Sequence, residues 1–166
     1  MNKIFEILTN QLTETIDSSV ALALHNKNQE VEVIHLLWAL LSNTNSVLNQ
    51  LLNKMNVNKV AVELEAKSYA SKLPSVSSVT KESIKLSRNL LSSLQSAEGL
   101  MASFGDKFIA VDTWLISNLD SSVIKDVLGK YVNLKEAKKE LETMSAGKTI
   151  DSNSGDENLE ALNTYG

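Results

Sequence analysis

No cysteine occurs in the sequence. That removes disulfides, thiolate metal sites and cysteine nucleophiles, and it fits a reducing compartment. Proline occurs once and glycine six times. So few breakers suit an all-helical protein better than a turn-rich β-protein. No stretch approaches the ~20 apolar residues that span a bilayer. Glu6, Gln11 and Glu14 interrupt what would have to be the apolar region of a signal peptide, so a cytoplasmic location is expected. No Lys/Arg stripe stands out and the net charge is -4, which argues against nucleic acid as a partner. What remains is ordinary for a globular chain, 43% hydrophobic and 22% charged over 166 residues. That length suits one domain, or two small halves sharing a core.

The chain says one thing twice. "KNQEVEVIHLLWALL" (Lys27 to Leu41) and "GDKFIAVDTWLISNL" (Gly105 to Leu119) both run from a polar turn through two β-branched residues into a helical apolar run. Val31 and Val33 stand where Ile109 and Val111 stand, and Leu36-Leu37 match Trp114-Leu115. The stretch from Val47 to Glu65 likewise pairs with Val123 to Glu142, with one inserted residue. Duplicated units of this size signal a repeated supersecondary structure. A four-helix unit of about 70 residues buries only part of its apolar surface alone, so two copies related by a pseudo-twofold would share a core.

Periodicity places eight helices. Ile4, Leu8, Leu12, Ile16, Val20 and Leu24 form an i+4 ladder that reads as one long first helix. Others are expected at about Val33 to Leu41, Val47 to Lys54 and Asn58 to Leu73, where Pro74 ends the first half. Ser75 to Val79 reads as the connector, with Thr80 as N-cap of the fifth helix and Glu82 in its first turn. That helix carries Leu90, Leu94, Ala97, Met101 and Phe104. The last three are expected at Val111 to Leu119, Ser122 to Lys130, and from an Asn133 cap to about Met144. The fold class is therefore all-α, two four-helix repeats (about 1–74 and 80–146) packed as one domain. Residues 147–166 read as a polar, mobile linker with a short helix from Asp156 to Asn163; Leu159 and Leu162 are its only sizeable aliphatic residues past Ile150.

Catalytic chemistry finds little support. Gly147-Lys148-Thr149 resembles the end of a phosphate-binding loop, but the first glycine of that motif would fall on Glu142, and a helix precedes it where a strand is needed. His25 lies near a helix end and His35 in the first turn of the second helix, opposite Thr113, without partners spaced for a triad or a metal pair. Glu63/Glu65 and Glu140/Glu142 read as solvated pairs, and Trp38 and Trp114 as core. No catalytic residue, metal site or cofactor of this domain is expected.

The duplicated unit and its tail resemble the N-terminal domain of Clp-type AAA+ chaperones, on the side of the ClpB-type disaggregases. "LTNQLTETIDSSVALALHNKNQEVEVIHLLWALL", "GDKFIAVDTWL" and the tail "DENLEALNTYG" carry the likeness. The resemblance implies a mobile accessory domain that is not itself an enzyme. It would bind unfolded or aggregated polypeptide and pass it to a hexameric ring. ATP and magnesium would belong to AAA+ modules beyond Gly166, and the full protein would cooperate with a DnaK-type chaperone. The isolated domain would be a monomer. A docking site for adaptor proteins is the alternative. The resemblance also implies substrate-binding residues at Thr9, Asp106 and Asp112, with Leu100 in an apolar groove that Thr113 makes more polar at one edge. Asp112 stands where the family has Glu, one methylene longer. Thr9, about 100° off the apolar ladder, and both acids are expected at one surface, where substitutions to alanine would leave the fold intact.

Overall fold

The computed structural model describes residues 3–146. Eight α-helices and two strands of two residues build it: α1 (Asn10–His25), β1 (Glu30–Val31), α2 (Val33–Ser42), α3 (Val47–Lys54), α4 (Lys59–Ser71), β2 (Lys85–Leu86), α5 (Arg88–Ser103), α6 (Val111–Asn118), α7 (Ser122–Val127) and α8 (Leu134–Ser145). The all-α, two-repeat architecture stands as expected. The expected linker, with Gly147-Lys148-Thr149 and the short helix after it, lies outside the described residues.

The repeat is visible in the backbone as well as in the side chains. Thr9 caps α1 by accepting from the Leu12 amide, and Ser87, displaced by 78 residues, caps α5 by accepting from the Leu90 amide. Asn58 and Asn133 cap α4 and α8, each accepting from two amides of the first turn. Lys27 and Gly105 hold equivalent left-handed positions after α1 and α5, at φ 58° and 75°. Glycine adopts that conformation without the steric penalty a lysine Cβ meets.

The halves interlock through short main-chain pairings. Leu8, just before α1, pairs in parallel with Ile109, just before α6. There the Thr9 amide donates to the Ile109 carbonyl at 3.0 Å, and the Ile109 amide to the Ile7 carbonyl at 2.7 Å. The reciprocal pairing joins β1, before α2, to β2, before α5, with Glu30 opposite Lys85 and Val31 opposite Leu86. The Ser87 amide donates to the Val31 carbonyl at 2.9 Å. Each half thus ties the start of its first helix to the start of the other half's second helix. That arrangement is a pseudo-twofold.

These pairings overturn two expectations. The first helix is not one long ladder. Lys3–Ile7 forms a 3-10 turn, Leu8 is extended, and α1 begins only at Asn10. An unbroken helix through Leu8 would place the Ile7 carbonyl and the Thr9 amide where Ile109 cannot reach them. Thr80 does not cap α5 either. It closes a polar turn, accepting from the Ser83 amide, and β2 intervenes before the true cap at Ser87.

One core runs through both halves, from Leu12, Leu36 and Leu37 to Leu90, Leu94 and Leu115. α2 is buried along almost its whole length. Trp38 and Trp114 both belong to the core, as their apolar surroundings in the sequence imply, and Trp114 also donates from Nε1 to the Ser93 hydroxyl at 2.9 Å. Glu65 pairs with Lys130 at 3.1 Å, across the surface between the halves. Such an exposed pair adds little stability.

Candidate functional site

The four residues singled out in the sequence lie around α6, the second helix of the second half. Asp112 is in its first turn and 5% exposed. Its Oδ2 accepts from the Ser145 hydroxyl at the end of α8, while its Oδ1 has no hydrogen-bond partner. The equivalent position in the first half is Ile34, a core residue. A carboxylate therefore sits where the repeat's own pattern calls for an aliphatic side chain.

Burial pushes the Asp112 carboxyl above the usual carboxylate range. The Ser145 hydroxyl and the amides of Thr113 and Asp112 at the helix start partly offset this, and the nearby charge of Asp106 adds to it. The fold thus favours the protonated form more than the unfolded chain does. Its stabilising contribution is full below the ordinary value of 3.8 and is lost as pH rises through the folded value. Asp112→Asn keeps the shape and lacks this titration. The stability of the variant relative to the wild type should therefore increase with pH, as read from denaturant midpoints. A difference that stays constant with pH would contradict the assignment.

Thr9 and Asp106 approach the start of α6 from two sides. Thr9 is 0% exposed, and its hydroxyl caps α1 at 3.2 Å from the Leu12 nitrogen. Asp106 is 8% exposed, and its amide closes the end of α5 on the Met101 carbonyl at 3.1 Å. The expectation of three surface side chains is therefore corrected. Thr9 is buried because it is a helix cap wedged into the Leu8–Ile109 pairing, and loss of such a cap costs about 1 kcal/mol. Asp112 is buried under the end of α8, where Ser145 donates to it.

Leu100 is half-buried on α5 and lines a shallow cleft of about 280 Å³ between α5, α6 and α8. Ile116 and Leu119 form the rest of its apolar lining, and Asp120, Lys138 and Glu142 bring charges of both signs. Ile116 lies one helical turn beyond Asp112, so the cleft and the acid share one seam of α6. Thr113, expected to edge the groove, is buried and is not among the residues that line this cleft. The sequence reading missed the contribution of α8, which supplies Ser145, Lys138 and Glu142. Their spacing of three and four residues was a readable signal for one helix face.

His35 is buried and makes two hydrogen bonds of 2.8 Å. Nδ1 accepts from the Glu32 amide, which leaves the proton on Nε2 to donate to Asn28 Oδ1. These bonds tie the start of α2 to the turn after α1. His25 is the last residue of α1. Among the described residues no group of three or more His, Asp or Glu side chains is placed to hold a metal ion.

Residues 7–131 match the Clp repeat (R) N-terminal domain. The chain belongs to that family. The chaperone protein ClpB of Wolinella succinogenes is 53% identical to this Clp N-domain over 162 residues. ClpB of Helicobacter hepaticus is 49% identical over 163 residues. Each match covers 98% of the chain and 19% of the relative, so the Clp N-domain spans about a fifth of the length of these proteins. Among solved structures, the Hsp104 N-terminal domain from Candida albicans shares the fold with a TM-score of 0.77 at 20% identity, covering 90% of this chain and 98% of that one. A complex of a ClpV N-domain with a VipB peptide matches with a TM-score of 0.65 at 18% identity, covering 84% and 88%. Among the described residues no helix of this Clp N-domain is long and apolar enough to cross a membrane.

Proposed function

We propose that this Clp N-domain is the polypeptide-recognition module of a ClpB-type chaperone. It holds exposed apolar segments of unfolded or aggregated chains and hands them to an ATP-driven ring elsewhere in the protein. That ring would be hexameric, would carry the ATP and magnesium, and would work with a DnaK-type system in the cytoplasm. The observation that carries this reading is the cleft at Leu100. It offers aliphatic surface with charges of both signs beside it, and it runs along the same helix as a buried acid that the repeat does not require. Apolar contact with a few polar groups for orientation suits weak binding of many sequences. The second reading, docking of one specific partner protein, is favoured by the ClpV N-domain solved with a VipB peptide. Adaptor docking would be tight and one-to-one.

The test uses the full-length protein refolding an aggregated substrate, with a domain-deleted control. Leu100→Ser and Asp112→Asn are expected to reduce recovery toward the level of the deletion while basal ATPase stays near wild type. Wild-type recovery by both variants, with a deletion that fails, would move the site elsewhere on the domain.

A further inference from the structure

Two differences between the halves fall on one buried contact. Asp112 stands where the first half has Ile34. Counted from the equivalent caps Asn58 and Asn133, Ser145 stands where the first half has Ala70. Ile34 and Ala70 are both core residues, on helices in extensive contact. The end of α4 is further fastened by Asn26 Nδ2, which donates to the Ala70 carbonyl at 3.0 Å. The first half therefore closes its last helix with groups that do not titrate. The second half closes α8 with a hydroxyl on a carboxyl group.

The Ser145 hydroxyl has one proton and two acceptors within reach. The Leu141 carbonyl lies one helical turn back at 2.9 Å, and Asp112 Oδ2 lies on the other side. An ionised Asp112 draws that proton to itself, since a charged acceptor makes the stronger bond, and the Leu141 carbonyl loses it. Its Oδ1 is then a charged oxygen buried without a partner, which is costly. A protonated Asp112 removes both conflicts. Its hydroxyl donates to Ser145 Oγ, and Ser145 donates onward to Leu141. The surrounding charges do not favour the ionised form. Asp106, in the turn before α6, opposes a second negative charge, and its neighbour Lys107 is exposed. From α8, Lys138 and Glu142 bring opposite signs to the neighbouring cleft. On α3 the one ionisable side chain, Lys54, lines a different cleft with Glu136. Residues 100–103 of α5 and the rest of α6 carry no ionisable side chain.

We propose that Asp112 and Ser145 form a proton-operated latch, which holds the last turn of α8 closed on the start of α6 while Asp112 is protonated and lets that turn open when Asp112 ionises. The latch is closed below the folded pKa of Asp112 and opens as pH rises through it. The chain continues from this turn into residues 147–166. One carboxyl group thus sets how firmly the end of α8 is held, whatever the domain binds. The first half, with Ile34 and Ala70, has no such response.

The test follows the 166-residue chain by NMR from acid to neutral pH. The carboxyl carbon of Asp112 reports its ionisation. Amide exchange at residues 143–146, corrected for the intrinsic effect of pH, reports the turn. Protection there is expected to fall about tenfold over the interval in which the Asp112 carbon titrates, the size of one hydrogen bond. Amides 68–71, at the end of α4, should show no step in that interval. Asp112→Asn can donate from Nδ2 to Ser145 Oγ and should keep the turn closed throughout. Ser145→Ala removes the link and should leave the turn open at every pH. The wild-type measurement decides even where a variant fails to fold. Three results would each overturn the latch: titration of Asp112 with no change at 143–146, the same step in Asp112→Asn, or wild-type protection in Ser145→Ala.

Discussion

Acidifying the chain from neutral pH to pH 4 is expected to remove about 3 kcal/mol of stability through His35 alone. Burial lowers the His35 pKa from 6.5 to about 4. The unfolded chain therefore takes up a proton near pH 6.5 that the folded chain refuses until about pH 4. The contribution is full above the unfolded value and is lost as pH falls through that window. The geometry gives the reason. Nδ1 accepts the Glu32 amide and Nε2 donates to Asn28, so a second proton would sit against an N–H. Carboxylates add their own acid dependence, so the measurement is a comparison. In His35→Thr, which installs the residue of the second half, the slope of unfolding free energy between pH 6.5 and 4 should be flatter, whatever the variant's stability at pH 7. Parallel slopes would mean that His35 is not the group refusing the proton.

Trp114→Ala is expected to cost about 3–5 kcal/mol, the range for emptying a large aromatic site in a close-packed core. Trp114 is fully buried and sits between α5 and α6, which are in extensive contact. The loss has a polar part. Its indole donates to Ser93 Oγ, which in turn donates to the Leu90 carbonyl at 2.6 Å. Removing the indole therefore leaves a buried hydroxyl acceptor without its donor, on top of the cavity. Ser93→Ala separates the two parts. It keeps the ring and orphans its N–H, and it should cost about 1–3 kcal/mol. Chemical denaturation of both variants reads the difference. If Trp114→Ala costs no more than Ser93→Ala, the ring does not fill the space between the helices.

The readable parts of this protein are those in which local periodicity and burial agree. α3 was legible to the residue, because Val47, Leu48, Leu51 and Leu52 mark one face between a serine cap and a basic last turn. α8 was nearly so, because Asn133 is a strong cap and Ala137 and Leu141, four residues apart, are buried on one face. The tie between the halves was legible only as four β-branched or aliphatic residues before two helices. Nothing local shows that Leu8 must leave a perfect i+4 ladder. The Ile7 carbonyl and the Thr9 amide on either side of it serve a partner about a hundred residues away, and side-chain periodicity carries no record of that.

The candidate site divides along the same line. The residues Thr9, Leu100, Asp106 and Asp112 came from resemblance, and the structure draws them around the start of α6 and its seam with α8. Their burial could not be read, because a lone Asp in a first helical turn usually faces water and complements the helix dipole. Whether it does so depends on what packs over that turn, here the end of α8 with Ser145. The sequence by itself determined the helical class, the duplication, and the Asn133 cap and bounds of helices such as α3 and α8, since each depends on a few neighbouring residues. Only the tertiary structure decided that the halves cross-pair at Leu8–Ile109 and Val31–Leu86, that Thr9 is a buried cap, and that Asp112 lies in an apolar seam with one oxygen unpartnered. Those are properties of contacts between residues far apart in the chain, and their energies appear only when the two repeats close on each other.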